Sequence, residues 1–130
     1  LDQLDHAAGQ AYHMPVALRL HGVLDQVALR RALDHLVARH EVLRTTFANG
    51  DSGPVQVIAP AGIGFALAMH DLRALDADAR EDALRRQAVE ESRAPFDLAR
   101  GPLIRGRLVA LGEDEHALLL TQHHIVSDGW

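Results

Sequence analysis

The sequence predicts a mixed α/β or α+β fold, a sheet with helices packed on it. Three features predict it. Several short runs alternate apolar and polar residues, as a half-buried strand does. Two longer runs repeat apolar residues at helical spacing. Clusters of Gly, Pro, Asn and Asp separate the runs. The resulting order is β-α-β-β-α-β-β.

Leu1 to Met14 shows no clear period. From Pro15 to Gly22, Val16, Leu18 and Leu20 alternate with Ala17, Arg19 and His21, which predicts a half-buried strand. Asp25 suits an N-cap, and Leu29, Ala32, Leu33, Leu36, Val37 and His40 form one face of a helix from Gln26 to Glu41. Leu43 to Phe47 can continue as a short strand. Asn49 to Pro54 is turn chemistry, followed by a short strand at Val55, Val57 and Ile58. Pro60 to Gly64 breaks the chain again, and Phe65 to Met69 reads as a strand. Asp76 to Arg93 is a charge-dense helix whose thin apolar stripe is Ala79, Ala83, Leu84, Ala88 and Val89; Pro95 stops it. Pro102 opens a strand through Ile104, Gly106, Leu108 and Ala110. Gly112 to Glu115 turns the chain, and His116 to Ile125 returns antiparallel as a hairpin.

The 130 residues suffice for one core and at most one domain. Hydrophobic residues are 48% and charged residues 24%, as in a soluble globular protein. The net charge of −5 with mixed signs argues against a nucleic-acid surface, which needs a basic stripe. No apolar run approaches the length of a membrane helix, and there is no signal peptide. The chain has no Cys, hence neither disulfides nor thiol chemistry, which is compatible with a reducing cytoplasm.

The chemistry concentrates in the last stretch, Ala117-Leu-Leu-Leu-Thr-Gln-His-His-Ile-Val-Ser-Asp-Gly-Trp130. Successive strand residues face opposite ways, so His123 and His124 point to opposite sides. One can serve a reaction while the other packs. Gly129 permits a backbone turn that a Cβ would resist, and Asp128 is near enough to hold the loop through an ionic contact. Three readings follow for the two histidines. A metal site is disfavoured, because adjacent strand residues diverge and no third ligand stands at a recognisable spacing. Both rings can be buried in the core. Or one is an active-site imidazole, neutral near neutral pH because histidine's ordinary pKa is about 6.5. Of the nine histidines, His6, His13, His21, His35, His70 and His116 read as surface or packing residues.

The pattern His123-His124-Ile-Val-Ser-Asp128-Gly129 matches the His-His-x-x-x-Asp-Gly signature of a large acyltransferase superfamily. With Arg39-His40-Glu41-Val-Leu-Arg44-Thr-Thr-Phe47 it resembles two core motifs of condensation domains of nonribosomal peptide synthetases. Pro54-Val-Gln-Val-Ile58 and Ala94-Pro-Phe-Asp-Leu98 resemble the same family, so nearly the whole chain is covered, in order. The resemblance implies a chloramphenicol-acetyltransferase-like lobe, with residues 1–130 the N-terminal lobe portion of a domain truncated at both ends. Leu1 to Met14 is then the loop after a missing first helix.

The same resemblance implies amide formation between a carrier-tethered acyl or aminoacyl thioester donor and an aminoacyl acceptor. His124 is the base or positioner, His123 is structural, Asp128 pairs with an arginine (Arg39, Arg44 or one in the missing C-terminal lobe), and Gly129 leaves room for substrate, its N–H facing the carbonyl oxygen. Asp128 does not orient His124 as a triad aspartate would. Arg39, His40, Glu41 and Arg44 are either a solvated helix end or, as the family favours, a buried ionic knot under the active-site strand; Phe47 is core. No metal, nucleotide or other cofactor is implied for this domain; its partners are donor and acceptor peptidyl carrier proteins with phosphopantetheine arms, the adjacent adenylation domain and the C-terminal lobe. Neither nucleic acid nor membrane is among them. The motif wording looks closest to the subtype joining two L-residues, and the 130 residues alone are expected to be inactive. Alternatives are a coenzyme-A-dependent acyltransferase of the same superfamily and a non-catalytic recruiting module of the same fold.

Overall fold

The computed structural model describes residues 13–123. Strand β1 (His13–His21) leads into helix α1 (Gln26–Arg39). A 3-10 turn (Glu41–Arg44) then enters the strands β2 (Thr45–Gly50) and β3 (Gly53–Ile58), and a second such turn (Ala61–Ile63) precedes β4 (Ala66–Asp71). Helix α2 (Ala77–Arg93) crosses to β5 (Ile104–Gly112), which returns as β6 (Glu115–His123). The order among the described residues is therefore β-α-β-β-β-α-β-β. The added strand is β2. It starts at Thr45 rather than Leu43, because the chain first tightens into the 3-10 turn, which the Thr45 hydroxyl closes by donating to the Glu41 carbonyl at 2.8 Å.

The predicted mixed sheet is present. Four strands run in the order β1-β6-β5-β4, and β2 and β3 form a separate hairpin. β6 is antiparallel to both neighbours, whereas β4 and β5 are parallel and joined through α2. Both helices begin where a side chain accepts the orphan amides of the first turn. Asp25 accepts from Ala28 N at 3.0 Å, as expected, and Asp76 from Ala79 N at 2.9 Å.

Alternation along β5 and β6 sends alternate residues to two cores. Val109, Leu111, Ala117 and Leu119 pack with Leu84 of α2. Ile104 and Leu120, of the opposite parity, pack with Leu33 and Val37 of α1, Leu43 and Phe65. The two helices thus cover opposite faces of the sheet. Gly106 lets Phe65 and Leu120 meet over β5; a Cβ there would lie 2.8 Å from Leu120 Cδ2 and 3.2 Å from Phe65 Cε1. Asp34, midway along α1, accepts from the Phe65 amide at 2.7 Å and so fixes the entry to β4.

Two sequence expectations fail. The apolar side of β1 is not buried: Val16 and Leu18 are 50% and 46% exposed. β1 is an edge strand bonded only to β6. Its other side, carrying His13 and Arg19, is the one that faces α2, through His13 Nδ1 to Ser92 O at 2.7 Å and Arg19 to Glu81 at 2.7 Å. In α2, Ala83 and Leu84 are buried as expected, but Val89 is half-exposed and Glu91 takes a buried place instead.

Arg19 bridges Glu81 of α2 and Glu115 of β6. Its hydrogen bond holds the Glu81 carboxyl below the ordinary value of 4.5. A depressed carboxylate contributes stability above its unfolded pKa and loses that contribution as pH falls through the native value. Arg19→Met should therefore flatten the fall in Tm of the complete domain between about pH 5 and pH 3. Asp71, held down to about 2 chiefly by its hydrogen bond from Arg73, keeps its own share of that slope in the variant. An unchanged acid profile would remove Arg19 as the strap between α2 and the sheet.

Candidate active site

Strand β6 is buried over most of its length, at His116 to Leu119, Thr121 and His123. Its last described residue, His123, is 4% exposed. The His123 amide donates to Leu103 O at 2.9 Å, and His13 stands opposite in the ladder with β1. The imidazole lies on the α2 side, where Phe96 meets it edge-to-face at 5.8 Å and 86°. His13 contacts the same ring at 6.1 Å and Phe96 at 4.8 Å, 85°. Such pairs contribute about 0.5–1.5 kcal/mol each beyond simple burial. His123 is therefore built into the packing. His124, Asp128 and Gly129 lie outside the described residues.

Phe96 is itself held. The Arg105 guanidinium lies 3.9 Å from its ring centroid. Arg105 donates from Nε to Glu91 Oε2 at 2.7 Å, from Nη2 to Glu91 O at 2.9 Å and Ala94 O at 2.6 Å, and from Nη1 to Pro95 O at 3.1 Å. A cation thus closes the C-terminus of α2, where carbonyls are left without intrahelical donors. Glu91 side-chain exposure is only 4%, and a carboxylate so placed needs a charged partner. Arg107 completes the group by donating to Gln87 Oε1 at 2.6 Å.

The segment Ala94-Pro-Phe-Asp-Leu98 now has a physical reading. Pro95 follows the helix end, Phe96 packs on His123, and Asp97 accepts from Ala99 N at 2.9 Å to turn the chain. Leu98 enters the core, and its carbonyl accepts from Phe47 N at 2.7 Å.

The Arg39-to-Phe47 motif is tied at one residue. Arg44 donates from Nε to Val37 O at 2.9 Å, from Nη2 to Ala38 O at 3.1 Å and from Nη1 to Ala59 O at 2.7 Å. It clips the last turn of α1 to the end of the hairpin. Arg39 and Glu41 are exposed, and His40 caps α1 through its amide to Leu36 O at 3.2 Å. Among the described residues Arg39, Glu41 and Arg44 form no ion pair, and Arg44 clamps main-chain carbonyls. Val42, Leu43 and Phe47 pack into the core beside it.

Sequence reasoning named neither Phe96 nor the Arg105–Glu91 pair as site support. Their partners are 14 residues apart for the ion pair, and no local periodicity reports such contacts. The one available signal was the resemblance at residues 94–98. Among the described residues no group of three or more His, Asp or Glu is placed to hold a metal ion.

The family model described as Condensation domain matches residues 2–130. The chain belongs to the condensation-domain family. This condensation-domain chain is 51% identical over 121 residues to the malpibaldin synthetase of Mortierella alpina, covering 93% of the chain and 2% of that protein. It is 49% identical over 130 residues to the chondramide synthase cmdD of Chondromyces crocatus, covering 100% of the chain and 3% of that protein. Among solved structures it is similar to the first condensation domain of the calcium-dependent antibiotic synthetase, solved with a substrate analogue. That match has 29% identity and a TM-score of 0.75, and covers 95% of this chain and 29% of that one. The fold is the chloramphenicol-acetyltransferase-like one of condensation domains. The chain thus spans under a third of the solved domain and a few hundredths of the synthetases it matches.

Two substitutions test this scaffold. Glu91→Ala leaves Arg105 and Arg107 without their shared carboxylate and should cost about 3 kcal/mol in urea melts of the complete domain. A loss below about 1 kcal/mol, the range of surface pairs, would count against a buried pair. Arg44→Lys keeps the charge but cannot reach three diverging carbonyls, and should cost about 2 kcal/mol by the same measurement.

Proposed function

We propose that the complete domain containing this chain forms the amide bond of nonribosomal peptide synthesis, and that residues 1–130 are the N-terminal lobe portion of it. The donor is an acyl or aminoacyl thioester on one peptidyl carrier protein, and the acceptor is an aminoacyl thioester on another. Adjacent adenylation domains load those carriers, and the C-terminal lobe of the same domain supplies the other wall of the site. This reading rests on the family match, which runs through the His-His-x-x-x-Asp-Gly motif to residue 130. The observation that carries it is the burial of His123, which fits the packing role this reading gives the first histidine of the motif.

In this reading the acceptor's free amine attacks the thioester carbonyl. The C–N bond forms, the carbonyl electrons move to oxygen, and the nitrogen becomes cationic. Nε2 or Nδ1 of a neutral His124 takes the surplus proton, or holds the amine in line for attack. Collapse of the adduct expels the donor's thiolate, which regains a proton. Asp128 holds the loop, and Gly129 keeps space beside the imidazole, its N–H directed at the developing oxyanion. Of the motif Arg39, His40, Glu41 and Arg44, Arg44 and the capping His40 support the scaffold. No metal or bound cofactor enters this scheme; the phosphopantetheine arms belong to the substrates.

His124→Ala in the complete protein, with both carriers loaded, should lower the single-turnover rate of amide formation by about 10²-fold or more. His123→Ala should instead reduce stability along with activity. Undiminished amide formation by folded His124→Ala protein would end the proposal.

A further inference from the structure

We propose that the hollow between the β2–β3 hairpin, the entry to β4 and the approach to β5 is a binding site for a small aliphatic carboxylate, with Arg100 as the partner of its head group; the site stands apart from the chemistry proposed above. The hollow measures about 240 Å³. Its floor is the buried trio Leu43, Phe65 and Leu103, and its rim carries the exposed Ile63, Pro102 and Arg100. An apolar cavity of about 150 Å³ has room for benzene, so an alkyl chain of several carbons fits here.

Each wall is tied without help from a ligand. The Phe65 amide donates to Asp34 Oδ1 at 2.7 Å, which fixes the side formed by the entry to β4. The Phe47 amide donates to Leu98 O at 2.7 Å and joins the hairpin to the segment before β5. Gly101, at φ +67°, brings that segment closer still; a Cβ there would lie 2.9 Å from Thr46 Cγ2. Walls held by such contacts need little further ordering when a ligand enters, which preserves affinity.

The charge of the hollow selects the ligand. Two guanidiniums and no carboxylate line it. Arg44 is committed to the carbonyls of Val37, Ala38 and Ala59. Among the described residues no acceptor meets the Arg100 guanidinium. The neighbouring carboxylates accept from main-chain amides instead, Asp34 from Phe65 and Asp97 from Ala99 and Arg100. An alkyl carboxylate matches both halves of the site. Its tail covers Leu43, Phe65 and Leu103, and its head group accepts two parallel hydrogen bonds from the guanidinium fork at the rim.

The test titrates sodium octanoate into the complete domain, followed by calorimetry and by the methyl resonances of Leu43, Ile63 and Leu103. One site with a Kd of about 0.1–1 mM is expected, with the largest shifts at those methyls. Octanamide keeps the chain without the charge and should bind about tenfold more weakly. Arg100→Gln should weaken octanoate by about tenfold and leave octanamide within about twofold, which assigns the difference to the guanidinium. Ile63→Trp fills the hollow from its half-exposed rim and should remove binding of both compounds. Arg100 is exposed, so its variant carries the test if Ile63→Trp does not fold. No saturable binding below about 10 mM, shifts centred elsewhere, or an octanoate affinity that Arg100→Gln leaves unchanged overturns the site. Amide formation plays no part in these readouts, so their failure leaves the reaction assignment to the His124→Ala test.

Discussion

A guanidinium in a protein interior must find acceptors, and Arg105 finds them at the one place where α2 has carbonyls to spare. Its side chain is 17% exposed and that of Glu91 4%, so neither charge is adequately served by water. Each therefore fixes the other. Glu91 belongs to α2 and Arg105 to β5, so the pair sets the helix's height and rotation over the sheet. The apolar contacts of Leu84 with Val109, Leu111, Ala117 and Leu119 then close without a separate choice of register. Breaking such a pair on one side is far costlier than never having it, because the survivor remains buried. The aromatic group around His123 inherits this rigidity: Phe96 follows the helix end by three residues and is covered by the same guanidinium.

α1 ends by the same physical device. Its last turn also leaves carbonyls unfilled, and Arg44 satisfies two of them while reaching Ala59 beyond the hairpin. In both cases an arginine from the following segment turns a helix terminus into a joint. The fork of donors matters here more than the charge, since no carboxylate faces Arg44 among the described residues. In this segment Arg44 makes the tie, Leu43 and Thr45 are buried beside it, and Arg39 and Glu41 are exposed.

How much of this was legible follows from the range of each interaction. Helix and strand periods are local, and the helices at 26–39 and 77–93 and the strands at 53–58, 66–71, 104–112 and 115–123 lie where the pattern put them, within a few residues. N-caps are local too, and Asp25 was readable from its place before the first apolar repeat. Burial is not local. Val16, Leu18 and Val89 carry the right spacing for a core, yet what covers a face depends on which element arrives there, and α2 settles on the other side of β1. The 3-10 turn was hidden because Glu41 to Arg44 continues an apolar pattern compatible with either helix or strand; only the Thr45 and Arg44 hydrogen bonds decide it. The identity of the group that packs on His123 was not readable either. Phe96 lies far away in sequence, in a segment whose only local signal is a helix stop.

The alternation of a strand carries a functional argument further than its simplicity suggests. A reactive side chain needs access and freedom from competing contacts; a rigid one needs the reverse. Two adjacent residues on a strand meet both needs at once, because the backbone between them is shared while their environments are not. Tight packing of the first residue lowers the number of backbone states at the second without filling the space around it. On a helix the neighbour would diverge by only part of a turn, and the packing would crowd the reactive group. His123, the last described residue of β6, is set among Phe96 and His13 and gains its orientation from burial.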